Sequence, residues 1–188
     1  MRLTPSENLS EKEIQSGLRL VVQDGVAAEV MAVLTGGAFL TALALKFGAS
    51  NFQIGLLAAL PTLANLFQIS AIYLVQKYQN RRAIAVTASL FARMSLFLIS
   101  FLPFLLPPPV AIIILIGLMS IHYVMGSISG LSWNSWMKDL VPEKRLGTFF
   151  SNRSRIIQMV SIGLSFTTAF VLDYIRKEKR GKNIRPTP

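Results

Sequence analysis

"SWNSWMKDLVPEKRLGTFFSNR", residues 132–153, tells what kind of protein this chain is. It sets two tryptophans, a proline and four basic residues between two of the most apolar runs of the chain. A soluble domain spreads its charge over a surface and interleaves its apolar residues. Here the charge is bunched and the apolar residues run together, at 52% hydrophobic content and a mean hydropathy of +0.51. Basic clusters at the ends of long apolar runs are how a membrane protein uses its charge. The net charge of +10 therefore does not point to nucleic acid, which would need a basic face on a folded domain.

Crossing a bilayer core of about 30 Å takes about 20 apolar residues of helix. Five stretches reach that length: 18–45, 52–75, 83–106, 110–133 and 156–175. The segments between them, "KFGASN", "QKYQNRR", "LPPP" and the opening stretch, are too polar or too rich in Pro and Gly to belong to a span. The expected fold is all-α, a polytopic membrane helix bundle of five transmembrane helices. It is organised as an N-terminal segment 1–17, a five-span domain 18–175 and a basic tail 176–188. The N-terminal "MRLTPSENLSEKEIQ" has no short apolar core or small-residue cleavage site, so the first span is expected to be retained.

Lys and Arg gather on the cytoplasmic side of membrane proteins. If the spans alternate, eleven basic residues share one side: Arg2, Lys12, Arg19, Lys77, Arg81, Arg82, Lys138, Lys144, Arg145, Arg153 and Arg155. The inter-span loops of the other side hold Lys46 alone. The expectation is a protein of the cell (inner) membrane with a cytoplasmic N-terminus. The opening stretch is then a cytoplasmic loop, with Trp133 and Trp136 at the membrane interface. The tail opposes this arrangement, because Arg176, Lys177, Lys179, Arg180, Lys182 and Arg185 follow the fifth span. That span carries one acid near its end, Asp173, and is otherwise apolar enough to cross.

Residues 17–174 resemble the N-terminal half of a bacterial major facilitator superfamily transporter. The resemblance is carried by the long spans with a short second loop ending "NRR", by "QDG" in the first span, and by the opening stretch. That stretch is similar to the fourth-to-fifth loop of one bacterial branch: a tryptophan pair, an Asp-Leu-Val-Pro run, a basic stretch and Gly-x-x-Phe. The superfamily's usual loop signature is Gly-x-Leu-x-Asp-Arg-x-Gly-Arg-Arg. "YLVQKYQNRR" keeps Arg81 and Arg82 but has Lys77 in place of the Asp and Asn80 in place of the second Gly. The resemblance implies two six-helix halves with a solute site between them near the midplane. By that comparison the chain corresponds to five spans of the first half, without a sixth span or a second half, and is expected to be inactive alone. Expected partners are the lipid bilayer, a small-molecule solute once the transporter is complete, and a complementary C-terminal half or a second copy.

Ionisable groups inside spans cost several kcal/mol and call for a partner or a pathway. Counting about 1.5 Å per residue, Glu29 lies about 16 Å into the first span and Asn65 about 20 Å into the second. Arg93 lies about 15 Å into the third and His122 about 18 Å into the fourth. Glu29 and His122 are candidates for a solute or proton site, since Glu carries a proton and His titrates near neutrality. The resemblance favours the same two, because it places the first and fourth spans on the cavity. Asp24, nearer the cytoplasmic end, and Asn65 are further candidates; Asn65 and Gln68 also read as hydrogen-bonding glue between helices. Arg93, Arg81, Arg82, Asp139, Arg145, Arg153 and Arg155 are structural or gating candidates. Gly126 and Gly130 in "GSISG" read as a small face for close helix packing, and Pro61 as a kink. One histidine, no cysteine, no paired metal-ligand motif and no phosphate-binding glycine loop argue against an enzyme, a metal or a cofactor. The competing reading is a five-span binding or scaffolding protein that transports nothing.

The topology is checked by thiol labelling in a chain that has no cysteine of its own. Ser6→Cys and Ser50→Cys are expected to label from opposite sides of a sealed membrane.

Overall fold

The computed structural model describes the backbone of residues 11–141 and 143–183, with side chains except at 139, 144, 175, 176 and 178–183. Every regular element among the described residues is helical: α1 Glu11–Thr35, α2 Gly37–Lys46, α3 Asn51–Ala64, a 3-10 turn Asn65–Phe67, α4 Gln68–Tyr78, α5 Arg81–Ile99, α6 Leu102–Leu105, α7 Pro108–Leu140 and α8 Glu143–Asn183. They make five stretches long and apolar enough to cross a membrane: Glu11–Lys46, Asn51–Tyr78, Arg81–Leu105, Pro108–Lys138 and Arg145–Tyr174. This is the make-up of a multi-pass membrane helix bundle.

The helices run beyond the apolar runs. The stretch read as a fourth-to-fifth loop is mostly helix: α7 continues through Trp133 and Trp136 to Leu140, and α8 begins at Glu143. Only two residues, 141 and 142, separate them. Apolar length measures the lipid a helix meets, not where its backbone bonds stop. Met, Lys, Leu, Glu and Arg are good helix formers and carry the helix into the polar region. At the far end α8 likewise passes 175 and continues to Asn183. There Asp173 pairs with Lys177 one turn on, at 3.0 Å, on an exposed face where such a pair contributes little.

Two spans are interrupted. In the first, Gly36 separates α1 from α2, which opens at Gly37. Gly37 has φ +51°, a left-handed conformation that costs glycine nothing. In the second, Pro61 sits inside α3 without an N–H to donate, and four residues later the helix tightens into the 3-10 turn Asn65–Phe67. Elsewhere the ends follow from local chemistry. Ser50 and Gln53 close a capping box at the start of α3, and the Asn80 side chain accepts from the Ala83 N–H at the start of α5.

The described chain forms two compact units, residues 11–14 and Gly37–Leu146 in one, and Gln15–Gly36 with the chain from Gly147 in the other. In the first, α5 packs chiefly on α7. The buried residues of α5 are Ala85, Ala88, Ala92, Ser95 and Ile99, a spacing of three and four that keeps one narrow small-residue stripe toward its partner. Without large side chains the backbones approach closely enough for side chain to reach main chain. Ser129 donates to the Ala85 carbonyl at 2.9 Å, and His122 Nδ1 meets the Ala92 carbonyl at 2.9 Å. Towards the other end Ile99, Leu102, Ile112 and Leu115 join Leu40, Ala44, Phe47, Leu57 and Leu60 in the main apolar cluster. In the second unit α1 meets α8, with Gly25 of α1 buried under Arg153 and Ile157. A Cβ on Gly25 would lie 2.6 Å from Arg153 Nη2 and 2.8 Å from Ile157 Cδ1.

Ala88→Leu adds three carbons to the α5 stripe and should lower stability by about 1–3 kcal/mol. The exposed-face control Leu90→Ala should stay within about 0.5 kcal/mol. Thermal unfolding in nanodiscs reads both.

Candidate functional site

The main candidate site is a groove of about 820 Å³ in the α2–α7 unit, within the range of small-molecule sites. One wall is the interrupted second span, contributing Pro61, Thr62, Asn65 and Gln68. The other wall is α7. There His122, Gly126, Gly130, Asn134 and Lys138 follow one another at intervals of four, with Tyr123, Ser127, Leu131 and Ser135 on the neighbouring row. Residues four apart lie on one helix face, so a single stripe of α7 lines the groove over about 24 Å.

The break in the second span shapes its wall. Gln68 Nε2 donates to Asn65 Oδ1 at 3.2 Å across the 3-10 turn. This pairing leaves the Asn65 NH₂ and the Gln68 carbonyl oxygen turned away from each other and available, a donor beside an acceptor. His122 is half-buried, and its ring stands edge-on to Tyr123 with centroids 5.2 Å apart. No carboxylate lines the groove among the described residues, and its one charged group is the exposed Lys138 at the far end.

Gly126 and Gly130 do not pack a helix. An added Cβ at either would find no atom within 4 Å, and both residues are exposed in the groove. Close packing falls instead to the alanines of α5, since a glycine face brings helices together only where a partner lies over it. Asn65 and Gln68 bond each other rather than bridging helices, which corrects their reading as interhelical glue.

Glu29 and Asp24 belong to the other unit. Glu29 is half-buried in a cleft of about 370 Å³ lined by Gly25, Ala28, Ala32, Arg153, Ser154, Ile157 and Gln158. Arg153 is half-buried beside it and interacts electrostatically with the exposed Asp24. An acid, a base and a second acid thus share the α1–α8 face. His122 and Asn65 line one groove, while Glu29 lines the other cleft with Arg153, and Asp24 lies outside that cleft, exposed, acting on Arg153.

Of the remaining candidates, Arg82 packs over the Trp136 ring at 5.5 Å, joining the start of α5 to the end of α7 by a cation–π contact. Arg81 is the first residue of α5, and Arg93 is exposed on the same helix one residue past Ala92. Arg145 is exposed near the start of α8, and Arg155 donates to Asn152 Oδ1 at 3.3 Å. The Asp139 side chain lies outside the described residues. Tyr123, Ser127, Asn134, Ser135 and Lys138 line the groove and were missed in the sequence. The signal was the recurrence of polar or small residues every four positions from His122 to Lys138. No metal-binding group of His, Asp or Glu occurs among the described residues.

Comparison with protein-family models, with curated proteins and with solved structures finds no match.

The Asp24–Arg153 interaction is open to a double-mutant cycle. Asp24→Asn and Arg153→Gln, singly and together, should show a favourable coupling on the order of 1 kcal/mol in thermal unfolding, as expected for a partly exposed ion pair. Strict additivity would contradict it.

Proposed function

We propose that the chain is the N-terminal part of a secondary transporter of the major facilitator type, moving a small polar solute by alternating access. The observation that carries this reading is the polar groove inside membrane-crossing helices. Backbone that departs from regular helix at membrane depth is tolerated where it is buried in protein or lines a water-filled cavity. The second span is interrupted at the 3-10 turn Asn65–Phe67, four residues after Pro61, and both Pro61 and Asn65 line the groove wall. Discontinuous helices facing a polar cavity are a recurring form of transporter site.

In this reading the groove holds the solute. Glu29, in its own cleft with Arg153, is the group that carries a coupling proton, and the Arg153–Asp24 pair holds the α1–α8 face. Arg82 on Trp136 fastens the cytoplasmic end of the groove unit, which follows from a cytoplasmic N-terminus. A complementary C-terminal half or a second copy is the partner that completes the pathway. The resemblance in "SWNSWMKDLVPEKRLGTFFSNR" and the basic second loop supports the family, and the groove supports the activity.

The reading requires water in the groove. Gly126→Cys, in a position with open space around it, should react with a membrane-impermeant thiol reagent in vesicles accessible from both faces. Phe91→Cys, on an α5 residue 63% exposed and outside the groove lining, should not. Equal inertness of both would return the chain to the class of non-transporting scaffolds.

A further inference from the structure

We infer that His122 presents a bare Nε2 to the groove as a hydrogen-bond acceptor, and that the groove is built for an uncharged, hydroxyl-rich solute. This rests on the groove being a solute site. Nδ1 of His122 lies 2.9 Å from the Ala92 carbonyl oxygen. A carbonyl oxygen only accepts, so Nδ1 must carry the hydrogen. In the neutral ring Nε2 is then unprotonated, because one nitrogen donates and the other accepts. Among the described residues Nε2 makes no hydrogen bond with the protein, while the side chain lines the groove. The α5 main chain thereby fixes which face of the imidazole a solute meets.

An acceptor at that position asks for an O–H or N–H. The chemistry opposite is mixed. Asn65 offers N–H donors and Gln68 an oxygen acceptor, set in that sense by their own hydrogen bond. A hydroxyl both donates and accepts, so a polyol carries a match for each of the three groups. A carboxylate or phosphate brings acceptors only and leaves Nε2 and the Gln68 oxygen facing lone pairs. An ammonium finds no carboxylate in the described lining, and the only formal charge there is that of Lys138. Lys138 stands about 24 Å along α7 from His122, too far to pair with an anion bound at the imidazole.

The test uses the single histidine of the chain. With ¹⁵N-histidine incorporated into tag-free protein in nanodiscs, the imidazole nitrogens of His122 are the only ones present. In the neutral ring the proton is expected on Nδ1 and the unprotonated signal on Nε2. A proton on Nε2 instead overturns the acceptor assignment, even if Gly126→Cys shows the groove to be wet. The solute class is read by titrating with sorbitol, gluconate and N-methylglucamine, which share a carbon chain and differ in charge. Sorbitol should move the Nε2 signal, with the anion and the cation weaker by about tenfold, the worth of one unmade hydrogen bond. A response to N-methylglucamine or gluconate equal to that of sorbitol, or no response to any of the three, overturns the class. His122→Asn, which keeps an N–H donor for Ala92 but has no Nε2, should remain folded and lose the discrimination between the three probes; retained discrimination also overturns it.

Discussion

The groove depends on how α7 is rotated against α5, and two side-chain-to-main-chain hydrogen bonds set that rotation. Ser129 meets the Ala85 carbonyl and His122 the Ala92 carbonyl, both at 2.9 Å. Both the donors and the acceptors are seven residues apart, so one antiparallel register satisfies the pair. The same register sets Ser95 level with Met119, Ile99 with Leu115 and Leu102 with Ile112, all of them buried. Apolar packing alone would leave the helices freer to turn, because lipid is as apolar as leucine and gives little drive for one face over another. The polar bonds select the face, and small residues at Ala85, Ala88 and Ala92 bring the backbones within reach.

Once α7 is fixed, its row of every fourth residue has one place to go. His122, Gly126, Gly130, Asn134 and Lys138 are turned to the interrupted second span. The interruption follows Pro61 by four residues. Its consequence is chemical. The turn Asn65–Phe67 is where Asn65 and Gln68 bond each other and so orient their remaining polar atoms. His122 has a double role in this arrangement: one ring nitrogen holds the helix pair and the other faces the cavity. The glycines opposite contribute by having no side chain, leaving volume where a leucine would fill it.

The five spans were legible from the apolar runs, because crossing a bilayer imposes a minimum length that few other folds need. Their ends were not. Lys138, Asp139, Glu143 and Lys144 look like loop residues to a hydropathy reading, yet α7 and α8 take them in, because charge stops a helix from entering lipid but not from forming. The mid-span polar residues were also legible, and His122 and Asn65 do line one cavity. Depth along a helix, however, says nothing about direction around it, so the separation of Glu29 into another cleft was hidden. The small residues misled for a related reason. Glycine and alanine both permit close approach, and only the structure tells which stripe has a partner over it. "GSISG" proved to be the open one, while the alanines of α5, which read as ordinary apolar filling, make the close contact.

The α5–α7 register is tested most directly by disulfide trapping in membranes, in a chain without competing cysteines. A disulfide needs Cα atoms about 4.4–6.8 Å apart, while one helical turn of slippage moves them by about 5.4 Å. The account predicts rapid, near-complete cross-linking of the Ala85→Cys/Ser129→Cys pair under mild oxidation. The pair displaced by a turn, Ala85→Cys/Met125→Cys, should remain reduced. Cross-linking of the displaced pair in preference to the first would show that α7 sits in another register, and the groove of His122 and Asn65 would lose its basis.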